Sequence, residues 1–587
     1  MILQNFHLRL FIKYFLPAVF YLIFIHLSWP TYGGGGLNLL SNILCWMVFC
    51  LWIMLMVLIQ RHSCFYGITS VIQSVTGAAL MSLPFLWTSV AEWRVNAAPV
   101  IIGLWGLVAT FCLLSQINFT RHHKKVLIRL IAIAALIEGA FCFLQIIYPL
   151  WSRKWLSYDI IAAQGRPLGA FMQVNLLGSF LAVGLACFLW LQINERRSLI
   201  RKLYLVASGI LTISLVLTHS RTGWLGATLT YIAVFSVYYK TPVMAILLKA
   251  NLPVLAISLI VGIYIIPSFI PHPILNPAKH EPVSVIKPYK TVTPLPETFA
   301  LSRMRQESFD WRRQMLLGGA LMIYDHPVAG NGLGSFEALF PEVLSSWGYR
   351  KQAPVTITHP HNELIYIWAE GGLCGLTGFV LLASLWAKFI WRRCNRNTLS
   401  MLCLSLPLWV HMMTEFPLYL SSAHALTLVL LLRIAIPSEG KVGRLRITPF
   451  SMTMFKMSVV ISGAIALFFL SAAWQTQRKI FFVEHNHFMS DIAALSFSEQ
   501  WAQHDRLIFD KGVIELMQFN QTKDPYHLAV FIGYAVPYLT AHNDAEMAFS
   551  LIRILKHYGY QSQADYWRKR SAVAFPSDPR FQTWGQL

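Results

Sequence analysis

Thr358-His359-Pro360-His361-Asn362-Glu363-Leu364 runs directly into Ile365-Tyr366-Ile367-Trp368-Ala369-Glu370-Gly371-Gly372-Leu373-Cys374-Gly375, and apolar residues then dominate to about residue 390. Pro360 interrupts the chain before it, Asn362 is a helix N-cap residue type, and Glu363 in the next turn suits the positive end of a helix dipole. The run after Asn362 exceeds the roughly 20 residues that a helix needs to cross a bilayer. A polar pair, His361-Asn362, therefore stands at the mouth of a membrane-spanning helix.

The rest of the chain is of the same kind. Of its 587 residues 56% are hydrophobic and 12% charged, with a mean hydropathy of +0.54; soluble domains are roughly 25% charged. A short basic start, Leu8 to Lys13, precedes an apolar run reaching Trp29-Pro30, and Trp29-Pro30-Thr31-Tyr32 is no small-residue cleavage site, so this run reads as a first span. Further spans fall near 38–60, 65–88, 99–118, 126–149, 174–193, 203–219, 222–239, 252–269, 363–390, 400–417, 419–436 and 452–474. The expectation is an all-α polytopic membrane protein of about 13 transmembrane helices.

Charge orients it. The excess of 47 Lys+Arg over 26 Asp+Glu, +21 in all, reads as topology before it reads as nucleic-acid binding, since no basic run is interleaved with a stacking platform. Alternate loops carry Arg61; Arg121, Lys124 and Lys125; Arg196, Arg197, Arg201 and Lys202; Lys240 and Lys249; Arg392, Arg393 and Arg396; and Lys441, Arg444 and Arg446, while the short connections between them are nearly free of Lys and Arg. That pattern puts the N-terminus inside and the C-terminus outside.

Four regions follow: an N-terminal transmembrane bundle over 1–269, a long outer loop with surface helices over 270–362, transmembrane helices over 363–474, and an outer helical domain over 475–587. The loop begins proline-rich (Pro267, Pro271, Pro273, Pro277, Pro282, Pro288, Pro294, Pro296) and then patterns as a helix from Leu301 to Asp325 with Arg303, Arg305, Arg312 and Arg313. Such arginines suit phosphates and equally suit a solvated helix face. Pro327-Val328-Ala329-Gly330-Asn331-Gly332-Leu333-Gly334 lacks the preceding strand and the following acid of a dinucleotide site and reads as a turn. In the tail, Asp544 to Tyr558 and Ser562 to Ala574 pattern as a helix pair. The nine cysteines show no metal-ligand spacing.

Polar groups costly in lipid collect on the outer side. Arg166 stands in Gln164-Gly165-Arg166-Pro167-Leu168-Gly169, just before Gln173-Val174-Asn175 opens a span, and Arg221 stands at a tight joint between two spans. Each is expensive unless it faces protein or water and has an anionic partner, or snorkels to the interface. His361 has the near-neutral pKa of a general base, and it lies where a helix N-terminus favours anions. Taken alone, a loop histidine is more often structural. Glu370 lies about 12 Å deeper along the helix and needs a partner; His411 and Glu415, four apart, share a face as a functional pair or as helix-packing contacts.

His361-Asn362, then nine residues, then Gly372-Leu373-Cys374-Gly375 resembles the signature of the O-antigen ligase and polymerase superfamily, and His359-Pro360-His361-Asn362-Glu363 resembles its protein-modifying branch, the bacterial O-oligosaccharyltransferases of the PglL and PglS kind. Gly165-Arg166-Pro167 with Gln173-Val174-Asn175, Ser220-Arg221-Thr222-Gly223, and the Trp311 helix ending in His326-Pro327-Val328-Ala329-Gly330-Asn331-Gly332 extend the likeness along the chain. The resemblance implies a bacterial inner-membrane enzyme that needs no metal or other cofactor. It moves a glycan en bloc, on the periplasmic face, from undecaprenyl diphosphate to a Ser or Thr hydroxyl of an exported protein, such as a pilin. It implies His361 as the catalytic histidine and Arg166 and Arg221 as diphosphate ligands, with Arg312 and Arg305 as further candidates and His359, Asn362, Asn175, Glu370, Glu415 and His411 in support. The partners are then a lipid-linked oligosaccharide, a protein acceptor and membrane lipid, with no nucleic acid. An O-antigen ligase or polymerase with a sugar acceptor would use the same site, and a lipid or glycan transporter would share the spans and buried charges.

Overall fold

A computed structural model describes residues 11–27, 35–60, 64–160, 163–265, 297–353, 355–391, 395–436 and 444–582; the side chains of 246, 297–309 and 389–391 are also outside the description. The proline-rich stretch and the side chains of Arg303 and Arg305 thus lie outside the described residues, as do Arg61, Arg392, Arg393 and Lys441.

The described residues are helical almost throughout. The first half contains α1 (Leu16–Leu22), α2 (Leu40–Leu58), α3 (Ile68–Ser82), α4 (Ala91–Ser115), α5 (Arg121–Ile147), α6 (Pro149–Leu156), α7 (Val174–Ile193), α8 (Ser198–Thr218), α9 (Arg221–Val237) and α10 (Pro242–Ile260). Then come α11 (Glu297–Asp325), α12 (Phe336–Ser346), α13 (Glu363–Trp391), α14 (Arg396–Leu402), α15 (Leu406–Met412), α16 (Pro417–Leu420), α17 (Ser422–Ala435) and α18 (Pro449–His485). The tail adds α19 (Phe497–Ala502), α20 (His504–Thr522), α21 (Pro525–Ala541), α22 (Ala545–His557), α23 (Gln561–Ala574) and α24 (Pro579–Gln582). The protein is an all-α polytopic membrane protein.

Among the described residues nine helices are long and apolar enough to cross a membrane, with shorter apolar helices at Phe11–His26 and Ser422–Ala435. Two expected spans take another form. The run expected at 222–239 is the 17-residue α9, and that at 400–417 is α14, a 3₁₀ turn Cys403–Ser405 and α15. Pro407 explains the second break: it has no N–H to continue the helix, and it packs where any side chain at Gly226 of α9 would sit.

The connections sort into two ends. At one, Lys125 meets Glu195 at 2.8 Å, Lys456 reaches the Leu58 carbonyl, and strands β1 (Cys64–Tyr66) and β2 (Arg444–Arg446) pair antiparallel with Cys64 opposite Arg446. These are the basic loops. At the other end lie the Arg166 segment, the α8–α9 joint, the Glu415 turn and the tail.

Helix α7 is the axis of the bundle, 94% buried over its apolar window and enclosed by α5, α8, α9 and α15. Lipid tails are as apolar as leucine, so close packing of small residues must hold spans together. A side chain at Gly178 of α7 would strike Ser220, and one at Gly223 of α9 would strike the Gly178 backbone. Gly77 and Gly378 bring α3 and α13 together in the same way.

The tail folds as helix hairpins α20–α21 and α22–α23 around Phe531, Leu551, Leu555, Trp567 and Phe581. Helix α22 buries Met547, Ala548, Leu551, Ile552 and Leu555 on one face; Asp544 caps its start and Lys556 and His557 close its last turn. This domain grips the loop below. Asn543 donates its backbone N–H to Glu337 Oε1 at 2.7 Å, Thr356 donates to the Asn543 carbonyl at 2.6 Å, and Lys351 Nζ donates to the Ala574 carbonyl at 2.7 Å.

Candidate active site

Glu415 is buried at the turn after α15 and gathers four donors. Arg312 Nη2 from α11 lies 3.0 Å from Oε1, to which Asn175 Nδ2 also donates; Gln173 Nε2 donates to Oε2 at 3.2 Å, and His411 Nε2 faces the same oxygen at 3.3 Å. A buried carboxylate without such partners would be driven neutral. The donors are held in turn: Ser220 Oγ donates to Asn175 Oδ1 at 2.7 Å, and His411 Nδ1 meets Ser179 Oγ at 2.8 Å.

The His359–Glu363 segment lies beside this hub. Asn362 caps α13 by accepting the Ile365 N–H at 3.1 Å, and it donates to the Met413 carbonyl, tying the helix mouth to the Glu415 turn. His361 adopts the left-handed backbone at φ 58, where its N–H reaches His359 Nδ1 at 2.9 Å. His359 therefore carries its proton on Nε2, 3.6 Å from Glu363 Oε2, while Tyr419 donates to Glu363 Oε1 at 2.6 Å. The His361 ring stands edge-on to Phe416. Burial pushes its pKa down, and the charge of Glu415 offsets only part of that, leaving about 4. The imidazole is neutral at neutral pH, and its buried Nδ1 has no hydrogen-bond partner among the described residues.

Arg221 is exposed at the first position of α9, one residue from the Ser220 that holds Asn175. Arg166 is half-buried on the loop before α7; Nη2 contacts Gln164 at 3.3 Å, and its buried Nε has no acceptor among the described residues. Glu370 lies away from Glu415. Its oxygens accept the Gly334 and Phe336 N–H groups at 3.0 and 2.9 Å, anchoring the glycine-rich turn ahead of α12. That turn interlocks with α13: Gly330 and Gly372 both have positive φ, and a side chain on either would enter the other's backbone. Among the described residues no group of three His, Cys, Asp or Glu side chains is arranged to hold a metal ion.

The O-antigen ligase (Wzy_C) family model matches residues 206–380. Over that stretch the chain is similar to the O-antigen ligase family. The likeness supports a glycan-transferring ligase or polymerase, and the apolar helices make the chain a multi-pass membrane protein. No curated protein matches it closely.

The region similar to the O-antigen ligase family includes Arg221, Arg312 and the His359–Glu363 segment, but Arg166, Asn175, His411 and Glu415 lie outside it. Only the fold brings those four to the match. Sequence reasoning placed no weight on Gln173, Ser220 or Tyr419 as partners, because Gln, Ser and Tyr at span ends are commonplace. Their signal is their side: all stand at the end without basic loops.

Proposed function

We propose that this protein is a periplasmic-face O-oligosaccharyltransferase of the bacterial inner membrane, with its N-terminus in the cytoplasm, that moves a glycan en bloc from undecaprenyl diphosphate to a Ser or Thr hydroxyl of an exported protein such as a pilin. The observation that carries this reading is His361: a half-buried, neutral imidazole with its buried Nδ1 unpartnered among the described residues, beside the Arg312–Glu415 pair. Nδ1 takes the proton of the acceptor hydroxyl as its oxygen attacks the anomeric carbon; the bond from that carbon to the phosphate oxygen breaks, and undecaprenyl diphosphate leaves as the oxyanion. A single displacement inverts the anomeric configuration. The leaving group needs fixed positive charge more than a proton, and Arg166, Arg221 and Arg312 supply it, with Arg305 a further candidate on α11.

His359 holds the His361 backbone in its left-handed turn, Asn362 fixes the helix mouth, and Asn175 with His411 keeps Glu415 ionised beside Arg312. Glu370 supports the site only through the turn before α12. A protein acceptor rather than a sugar is favoured by the helical tail docked on residues 337–356, next to the segment that presents His361.

The test is co-expression of a candidate pilin with the intact protein or His361→Ala in a glycan-producing bacterium, with the pilin weighed by intact mass spectrometry. A glycan-sized increment that disappears in the correctly inserted variant is expected. An increment that survives removes His361 from the chemistry; none with either protein, together with changed lipopolysaccharide, transfers the reading to a sugar acceptor.

A further inference from the structure

Buried in the bundle is a second polar cluster that the reaction above does not use. Glu138 and Gln145 project from one face of α5, two turns apart, and neither is accessible to solvent. Both are spent on a single strip of backbone. Glu138 Oε2 accepts the Ala170 N–H at 2.9 Å; Gln145 Oε1 accepts the Leu168 and Gly169 N–H groups at 2.8 and 2.9 Å, and its Nε2 returns a hydrogen bond to the Gly169 carbonyl at 3.0 Å. Three consecutive amides are thus held from one helix. Gly169 has φ 59, and a side chain there would run into the Glu138 carboxylate, so strip and helix are in direct contact.

A carboxyl group inside a membrane bundle is costly without a partner. Here His26 Nδ1 lies 2.6 Å from Glu138 Oε1, and His26 Nε2 faces the Tyr21 carbonyl at 3.0 Å. A carbonyl only accepts, so Nε2 carries a proton. The pair then shares one more proton between Nδ1 and Oε1, and it is electrically neutral as a whole whichever atom holds it. That neutrality makes the carboxyl tolerable at this depth.

The clamped strip connects two parts of the site. Arg166 is two residues before Leu168, and Asn175, which donates to Glu415, is five after Ala170. Ahead of the strip the Arg166 backbone is held too, its N–H reaching the Ala163 carbonyl at 3.0 Å and its carbonyl accepting from Tyr158 Oη at 3.3 Å, although Gln164 and Gly165 are exposed and of positive φ. Fixing the amides of 168–170 completes the brace on the other side and so limits where the Arg166 guanidinium, with its unpartnered buried Nε, can point.

We propose that Glu138, neutralised by His26 and assisted by Gln145, is a positioning residue for Arg166: it sets the loop so that the guanidinium meets the diphosphate of the lipid-linked donor. The inference rests on the reading of Arg166 as a diphosphate ligand. Glu138 touches no substrate, so its effect must pass through Arg166.

The experiment is a double-mutant cycle on the full-length protein in phosphatidylethanolamine and phosphatidylglycerol nanodiscs, with undecaprenyl diphosphate as the probe and its Kd read by intrinsic tryptophan fluorescence. Arg166→Ala and Glu138→Met, which removes the acceptor for the Ala170 N–H and the partner of His26, should each weaken binding about tenfold, the scale of coupling between residues in one network, and the double variant should bind no more weakly than Arg166→Ala alone. Glu138→Gln, whose amide can still accept from Ala170 and donate to His26 Nδ1, should bind as the unaltered protein does. Gln145→Met, which removes the acceptor for two amides with a side chain of similar length, should behave as Glu138→Met does, and it carries the test if that variant does not fold. Binding by Glu138→Met and Gln145→Met that equals the unaltered protein's, or a loss that is undiminished in the Arg166→Ala background, overturns the positioning role while leaving Arg166 as a ligand. Normal binding by Arg166→Ala overturns the underlying reading instead, and the proposal with it.

Discussion

Arg312 on α11 donates from Nη2 to Oε1 of Glu415 at 3.0 Å across 103 positions of sequence, joining α11 to the turn after α15. The carboxylate is buried whereas the arginine side chain is 40% exposed. Replacing Arg312 with Lys keeps the charge but loses the fork geometry that a carboxylate and a phosphate can share. Transfer rates should fall about tenfold for Arg312→Lys and about a hundredfold for Arg312→Met, in line with the loss of a preorganised cation at a developing oxyanion. Equal rates for Met and the unaltered protein would show that Arg312 serves only to hold the loop.

His361 gives a pH signature. Burial holds its pKa at about 4, below the ordinary value of about 6.5. The acid limb of kcat/KM should therefore fall near pH 4 rather than near 6.5, provided that the acceptor is uncharged in that range. The unfolded chain binds this proton at a higher pH than the folded one, so stability declines as pH falls from about 6.5 toward 4. Thermal melts of the protein and of His361→Gln between pH 4 and 7 should converge at the acid end. A rate limb at 6.5 would place the titrating group in solvent.

The tail's grip on the loop also depends on charge. Burial pushes His542 down, but the Asp505 carboxylate at 3.7 Å and the Glu337 hydrogen bond at 3.0 Å outweigh it and raise the pKa to about 10. A raised histidine contributes stability that is complete below about 6.5 and is lost as pH rises through about 10. Hydrogen exchange over residues 337–356 should be slow at pH 7 and should accelerate toward pH 10 beyond its intrinsic rise. Glu337→Gln should show the faster exchange already at pH 7. No difference between that variant and the parent would mean that the remaining contacts suffice.

Gly372 should tolerate no side chain. Its φ of 58 and ψ of −153 form the kink in α13, and the Val328 carbonyl occupies the space a Cβ would need. Gly372→Ala should lower the apparent melting temperature and reduce transfer, at a cost on the order of 1–3 kcal/mol or more. Gly371→Ala, one residue earlier with only ordinary contacts around it, is the matched control and should be close to neutral. Similar melting for both variants would show that the α13 kink and the Gly330 turn are not interlocked in solution.

How much of this was legible beforehand depends on the residue. Long apolar runs announce helices wherever they fall, because a backbone in lipid must satisfy its own hydrogen bonds, and the lysines and arginines of alternate loops announce which ends lie together. His361 and Asn362 were visible as a proline-led cap before such a run. The break at Pro407 was present in the residues too, but the apolar window around it hid the proline's effect.

Other features had no local sign. Nothing near Glu415 says that Arg312, Asn175, Gln173 and His411 converge on it, and Glu370, similar in sequence setting, instead accepts two backbone amides. Glu138 looks like a stray acid in an apolar run until the fold brings His26 and the Leu168–Ala170 strip against it. The chain alone determined that this is a helical membrane protein with its polar chemistry collected at one end, because hydropathy and loop charge act residue by residue. Which carboxylate gathers arginine, amide and histidine donors, which one braces a turn and which one clamps a loop was decided only by tertiary structure, since a buried charge takes its partners from far away in sequence.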